Sequence, residues 1–199
     1  FWFAREDRRN LTLPGAYLQP APDFQGVNRR VVQRWQRWDE AAQEGMRAFL
    51  ATHQPDAALL FNLAELQNTC SKALKISPDE TLKIIQELYE KKLTTYPRTD
   101  ARVLSTAISK EIHKNISGLQ GFAPAAPFAK EALDAGKWKS ISRTRYVNDS
   151  QITDHYAIIP TGQTGAARGL SSTSYGVYCQ IVKRFLGIFY PPAEYRKIS

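Results

Sequence analysis

The feature that most constrains this chain is a proline set directly after a tyrosine, Tyr96-Pro97, between two stretches of helical apolar period. Proline fixes its own φ, lacks an N–H and pushes the residue before it toward extended backbone. No regular helix can run through this point. Leu93-Thr94-Thr95-Tyr96 carries the β-favouring residue types, so a short extended turn is expected there, with Tyr96 presented on it.

On either side the pattern is helical. Val31, Val32, Trp35, Trp38, Ala42, Met46 and Phe49 recur at three- and four-residue steps, which predicts one amphipathic helix over residues 29–51. At that spacing Trp35 and Trp38 read as core rather than as a base-stacking platform. Pro55 interrupts the pattern, and Leu59 to Leu74 predicts a second helix. Ser77-Pro78-Asp79-Glu80 is a helix start: Ser77 as the cap, Pro78 at the first position, Glu80 as the capping-box partner. That helix continues through Leu82, Ile85, Leu88 and Tyr89. Two helices joined by a tight turn form the skeleton of a helix-turn-helix, which many helical proteins share. Beyond Pro97, Thr99 or Asp100 is expected to cap a helix reaching about Ile116. Gly118 to Phe128 reads as a loop, residues 128–136 as a short helix and the basic run to Tyr146 as partly extended. Gly162 to Ser174 reads as a second loop and Ser174 to Phe189 as a last helix, ended by Pro191-Pro192. Residues 1–30 are irregular, with short strands possible.

Charge narrows the class of partner. The chain has 27 Lys and Arg against 19 Asp and Glu, a net of +8, which favours a polyanion, nucleic acid before an anionic membrane. The excess is local: Lys91 to Lys114 holds six basic residues against Asp100 and Glu111, and Lys130 to Arg145 holds five against Glu131 and Asp134. No apolar run approaches the roughly 18 residues that a membrane span needs. Cys70 and Cys179 form no C-x-x-C pair, so no zinc site is expected. There is no phosphate-binding G-x-x-x-x-G-K-[ST] loop, since Gly136-Lys137 is followed by Trp138. The chain opens on Phe1 and stops at Arg196-Lys197-Ile198-Ser199, and both ends read as cuts inside a longer protein.

The segment richest in chemistry is Lys91-Lys92-Leu93-Thr94-Thr95-Tyr96-Pro97-Arg98-Thr99-Asp100-Ala101-Arg102. In an extended chain Tyr96 and Arg98 share a face. A guanidinium can grip a phosphate with its fork of donors. A phenol is a weak nucleophile unless neighbouring cations favour the phenolate and stabilise charge at the attacked phosphorus. From the residues alone, a packed tyrosine beside a solvent-exposed arginine is the better explanation of the segment.

Four ordered blocks carry a family resemblance. Leu88-Tyr89-Glu90-Lys91-Lys92-Leu93-Thr94-Thr95-Tyr96-Pro97-Arg98-Thr99-Asp100 resembles the active-site signature of type IA DNA topoisomerases, in particular the topoisomerase III kind. Leu60-Phe61-Asn62-Leu63-Ala64-Glu65-Leu66-Gln67 resembles the family's helix entry before that signature. Asp154-His155-Tyr156-Ala157-Ile158-Ile159-Pro160-Thr161 resembles its histidine motif, and Val182 to Pro192 its later helix and exit. The chain departs from the family where Ala101 stands for the usual Ser, Val103 for Tyr and Tyr156 for a second His, and where Asn68-Thr69-Cys70 replaces basic residues.

The resemblance implies a mainly α fold with a small β part. A helical domain over residues 56–189 carries the tyrosine and the helix-turn-helix-like element. Residues 1–55 and 190–199 would belong to a β-rich arch. It implies that Tyr96 is the nucleophile, that Arg98 stabilises the scissile phosphate, and that His155 contacts the phosphate or orders the cleavage site. Thr99 and Asp100 would brace the turn, and Lys92, Arg102 and Gln67 would support DNA contacts. The expected partners are DNA, single-stranded at the cleavage site, and the remaining topoisomerase domains. Mg²⁺ would be held by an acidic D-x-D domain outside this chain, so no metal site and no ATP use are expected within it. A bacterial, cytoplasmic, nucleoid-associated setting follows. Two rivals share the features: a catalytically silent DNA-binding relative, and an unrelated helix-turn-helix regulator.

Overall fold

A computed structural model describes residues 25–52 and 59–190, with side chains from residue 31. The chain divides into two compact units, residues 1–41 and 42–199. The first helix, α1 (Gln25–Thr52), runs through the division. In the first unit Trp35 is buried, and its ring meets Trp38 edge to face at 4.8 Å; Arg34 lies over the Trp38 ring at 5.5 Å. Trp35 thus sits in the core as the helical spacing predicts, while Trp38 is half-buried.

The second unit is helical. After α1 come α2 (Leu63–Leu74), α3 (Pro78–Glu90), α4 (Thr106–Gly118), α5 (Ala126–Asp134) and α6 (Ser172–Gly187). Four of these starts are capped by a side chain bonded to the amide three residues on. Asn62 caps α2, Ser77 caps α3, Ser105 caps α4 and Ser171 caps α6. Each satisfies an N–H that the first helical turn leaves without a partner. The α2–α3 turn consists of Lys75, Ile76 and Ser77, with Lys75 in the left-handed region at φ 58°.

α6 is the centre of the core. Tyr178, Ile181, Val182, Phe185 and Leu186 are fully buried, and the helix packs against α2, α3 and α5. Facing it, α2 buries Leu66 and Cys70, and α3 buries Ile85 and Leu88. Burial pushes the Cys70 thiol up to about 11, against the Lys183 ammonium and a hydrogen bond with Thr81. On the other side of the unit, α4 packs on α5 and on a 3-10 turn at Lys137–Arg143.

Several predicted boundaries move, each for a local reason. Leu59–Asn62 is not helical, because Asn62 is the cap and Phe61 pairs in a bridge with Ile158. The helix expected from Thr99 or Asp100 starts at Thr106: Thr99 is hydrogen-bonded elsewhere and Leu104 pairs with Val147. The basic run expected to be partly extended coils instead into the Lys137–Arg143 turn. The small β part reduces, among the described residues, to three isolated bridges: Phe61 with Ile158, Thr94 with Pro160 and Leu104 with Val147. Residues 1–24 and 191–199, where most of the β-rich arch was expected, lie outside the described residues.

Two glycines let the segment after Pro160 lie on α4. A Cβ at Gly118 would stand 2.6 Å from the Gly162 Cα and closer still to its carbonyl oxygen. Gly162 has φ +88°, which favours glycine. We expect Gly118→Ala to destabilise the fold by about 1–3 kcal/mol, read as a lower urea midpoint. Gly165→Ala, whose Cβ meets nothing within 4 Å, should leave it unchanged.

Glu87 ties α3 to α6. It pairs with Lys91 at 2.7 Å and accepts from the Ser174 hydroxyl at 3.0 Å. The Lys91 bond holds the carboxyl below its usual range; burial opposes this and the Ser174 bond assists it. A depressed folded-state value favours the native state above the ordinary carboxylate range, and that advantage is lost as pH falls through the folded value. Glu87→Gln should therefore flatten the loss of stability between about pH 6 and pH 3, measured by urea unfolding across that window.

Candidate active site

Three stretches of chain, near residues 60, 95 and 158, are stitched together without forming a regular sheet. Thr95 N–H donates to the Ile159 carbonyl at 3.0 Å, and its hydroxyl donates to the Ala157 carbonyl at 3.1 Å while accepting from the Ile159 amide at 3.0 Å. Ile158 N–H donates to the Phe61 carbonyl at 2.8 Å, and Ala157 N–H to the Val103 carbonyl at 3.0 Å. The Thr99 hydroxyl donates to the His155 carbonyl at 2.7 Å and accepts from the Ala101 amide at 3.1 Å. Each such bond contributes about 0.5–1.5 kcal/mol net, and together they fix the histidine segment against the tyrosine turn.

From Tyr96 to Ala101 burial alternates along the chain. Pro97, Thr99 and Ala101 are buried; Arg98 and Asp100 are exposed and Tyr96 is half-buried. That is the period of two in which successive side chains take opposite faces. Leu63 N–H donates to the Thr99 carbonyl and the Asn62 side chain to the Asp100 carbonyl, so the start of α2 holds the far end of the turn.

Tyr96 is oriented by two rings. Its centroid lies 4.3 Å from that of His155 at a 39° tilt, and Tyr89 meets it edge to face at 5.5 Å. Around this group opens a cleft of about 360 Å³, lined by Tyr89, Lys92, Thr94, Thr95, Tyr96, His155, Tyr156, Thr161 and Gln163. Lys92 sits in the left-handed region at φ 59°, an uncommon conformation for a side-chain-bearing residue, and its carbonyl accepts from the Thr161 hydroxyl. Burial holds the Tyr156 phenol above its ordinary range.

Of the eight residues singled out from the sequence, the structure places Tyr96, His155 and Lys92 on one cleft. Arg98 is exposed two residues beyond Tyr96 but is not among the lining residues. Thr99 is the buried link between turn and histidine segment. Asp100 contributes its carbonyl to Asn62. Arg102 lies 4.0 Å from Glu65, which Arg184 approaches at 3.9 Å. Gln67 donates to the Pro78 carbonyl at 3.0 Å and so ties α2 to the start of α3. Sequence reasoning missed Tyr89, which continues the apolar stripe of α3 but is 44% exposed and faces the cleft. It also gave no role to Thr94 and Thr161, although both lie inside the quoted motif blocks, nor to Gln163, which lies in an expected loop.

The described residues do not fit a magnesium site. The cleft lining includes no carboxylate, and no three His, Cys, Asp or Glu side chains cluster among them. No described helix is long and apolar enough to cross a membrane.

Fold and cleft together define a helical module that presents a tyrosine beside a histidine and a lysine. Its family follows from comparison with known proteins. Residues 49–199 match the family model described as DNA topoisomerase, and the chain belongs to that family, on the topoisomerase III-like, type IA side. It is 39% identical over 139 residues to DNA topoisomerase 3 of Bacillus licheniformis, a match covering 69% of this chain and 19% of that protein. To DNA topoisomerase 3 of Bacillus subtilis it is 38% identical over 142 residues, 71% of this chain and 19% of the relative. To that of Shouchella clausii it is 38% identical over 137 residues, 68% and 18%. The chain thus spans about a fifth of the length of the curated relatives it matches.

Thr99→Val removes one donor and one acceptor at the hinge of the site. We expect a stability loss of about 1–3 kcal/mol and a displaced His155 ring resonance by NMR, with Thr99→Ser restoring both.

Proposed function

We propose that this chain is the tyrosine-bearing segment of a longer type IA topoisomerase, in which Tyr96 cleaves one DNA strand. The observation that carries the reading is Tyr96 itself, half-buried against the His155 ring at 4.3 Å and opening on a cleft that also holds Lys92. In the proposed step the Tyr96 oxygen bonds to the phosphorus of a backbone phosphodiester and the bond from phosphorus to the 3′ oxygen breaks. The phenol loses its proton and the leaving 3′ oxygen gains one. A 5′-phosphotyrosine remains; attack by the 3′-hydroxyl reverses the step and reseals the strand after another has passed. One phosphodiester is exchanged for another, so no ATP is consumed.

The chain's own residues orient and neutralise. A long arginine can swing its head while its stem stays packed, so Arg98 can reach a phosphate laid across the outward face of its run. Lys92 adds a second cation at the cleft, and Thr99 keeps His155 in place. Arg102, Asp100 and Gln67 act through the fold around them. Single-stranded DNA would lie along the cleft, held largely by its backbone. Magnesium, where the reaction uses it, would be held by the rest of the enzyme.

One observation favours a second reading, a catalytically silent DNA-binding relative: Arg98 does not line the cleft. The two separate on a covalent adduct. The intact protein with Mg²⁺ and a labelled single-stranded oligonucleotide, quenched with detergent, should yield an adduct that peptide mapping places on Tyr96. Tyr96→Phe should abolish it, and Arg98→Ala should lower cleavage about 10²–10³-fold. Strand binding without any adduct would make the silent reading correct. The 199-residue chain alone should not relax supercoiled DNA.

A further inference from the structure

We infer that the cleft beside Tyr96 is a pocket for one unpaired nucleobase, with the Tyr89 ring as its stacking face. The inference rests on the reading of Tyr96 as a DNA-facing residue and adds the part of the strand that the cleft would hold.

Tyr89 is the large hydrophobic side chain left exposed among the described residues, at 44%. It ends α3 beside the fully buried Leu88, and its T-shaped contact with Tyr96 fixes the ring's orientation. An exposed aromatic held rigidly at the wall of a cleft offers stacking area at little cost in conformational freedom. The second observation is Thr94. It lines the cleft and is 1% exposed, yet its hydroxyl has no hydrogen-bond partner. A buried hydroxyl left unbonded is unfavourable, and the edge of a base carries both donors and acceptors that could satisfy it.

Third, Lys92 lines the cleft just past the end of α3, where its left-handed backbone closes the helix through bonds from the Lys92 amide to the Tyr89 carbonyl and from the Leu93 amide to the Leu88 carbonyl. It brings a cation to the cleft, where a nucleotide's phosphate would accompany its base. The volume, about 360 Å³, also lies in the range of about 300–1,000 Å³ typical of small-molecule pockets. Aromatic rings, hydroxyls, an amide and one cation, with no carboxylate, suit a base and its phosphate. Tyr89 would be a positioning residue, anchoring the nucleotide next to the attacked phosphate.

The test compares two strands of equal length and charge, oligothymidine and a fully abasic backbone, by fluorescence anisotropy. The chain carrying Tyr96→Phe should bind the thymidine strand about tenfold more tightly, in line with stacking on a single aromatic. Adding Tyr89→Ala or Tyr89→Leu should close that gap, Tyr89→Phe should keep it, and each variant should retain the helical circular-dichroism spectrum of the parent. An undiminished gap in Tyr89→Ala and Tyr89→Leu, or no gap in the parent, overturns this inference while leaving the cleavage reading intact. Binding to neither strand overturns both.

Discussion

The hydrogen bond from the Thr99 hydroxyl to the His155 carbonyl is the contact on which the site depends. It joins positions 56 residues apart in sequence and holds the histidine segment against the far side of the tyrosine turn. Thr95 does the same one step away, with its hydroxyl bonded to both Ala157 and Ile159. Threonine suits these places because one hydroxyl can donate and accept at once. The hydroxyls of Thr95 and Thr99 are thus each bonded to backbone groups as donor and as acceptor, while Arg98 and Asp100 on the other side are exposed.

Around this link the helices act as a frame. α6 fills the middle of the core, and α2 and α3 lean on it. The start of α2 holds Thr99 and Asp100, and the end of α3 carries Tyr89 to the cleft. Gly118 and Gly162 allow α4 to meet the stretch that follows Pro160, and the Asn115 side chain donates to the Pro160 carbonyl. The site is a place where helix ends converge on two irregular segments.

The net charge of +8 overstates the cation available to a polyanion. Lys114 and Lys130 pair with neighbours on their own helices, and Lys91, just past the end of α3, pairs with Glu87 of that helix. Arg184 is turned inward, donating to the Leu59 carbonyl and stacking over Phe61 at 4.3 Å; burial pulls its guanidinium below the usual range and Glu65 acts against that. Burial likewise depresses the Lys183 ammonium, which lies over the Phe49 ring. Lys92 at the cleft and Arg98 beside it stand apart from these pairs, and they flank the tyrosine.

The sequence by itself determined the helices and the turn. Ser77-Pro78 fixed the start of α3, Pro97 kept Tyr96 off any helix, and the apolar stripe of residues 29–51 appears as α1, because caps, proline and periodicity act over a few residues. The ordered motifs also marked the family before any coordinates. Tertiary structure decided the rest. Thr99 as a link rather than a cap, the late start of α4 at Thr106, and the outward turn of Tyr89 depend on partners distant in the chain. Local sequence carries no record of which carbonyl a hydroxyl will find, and that choice made the cleft.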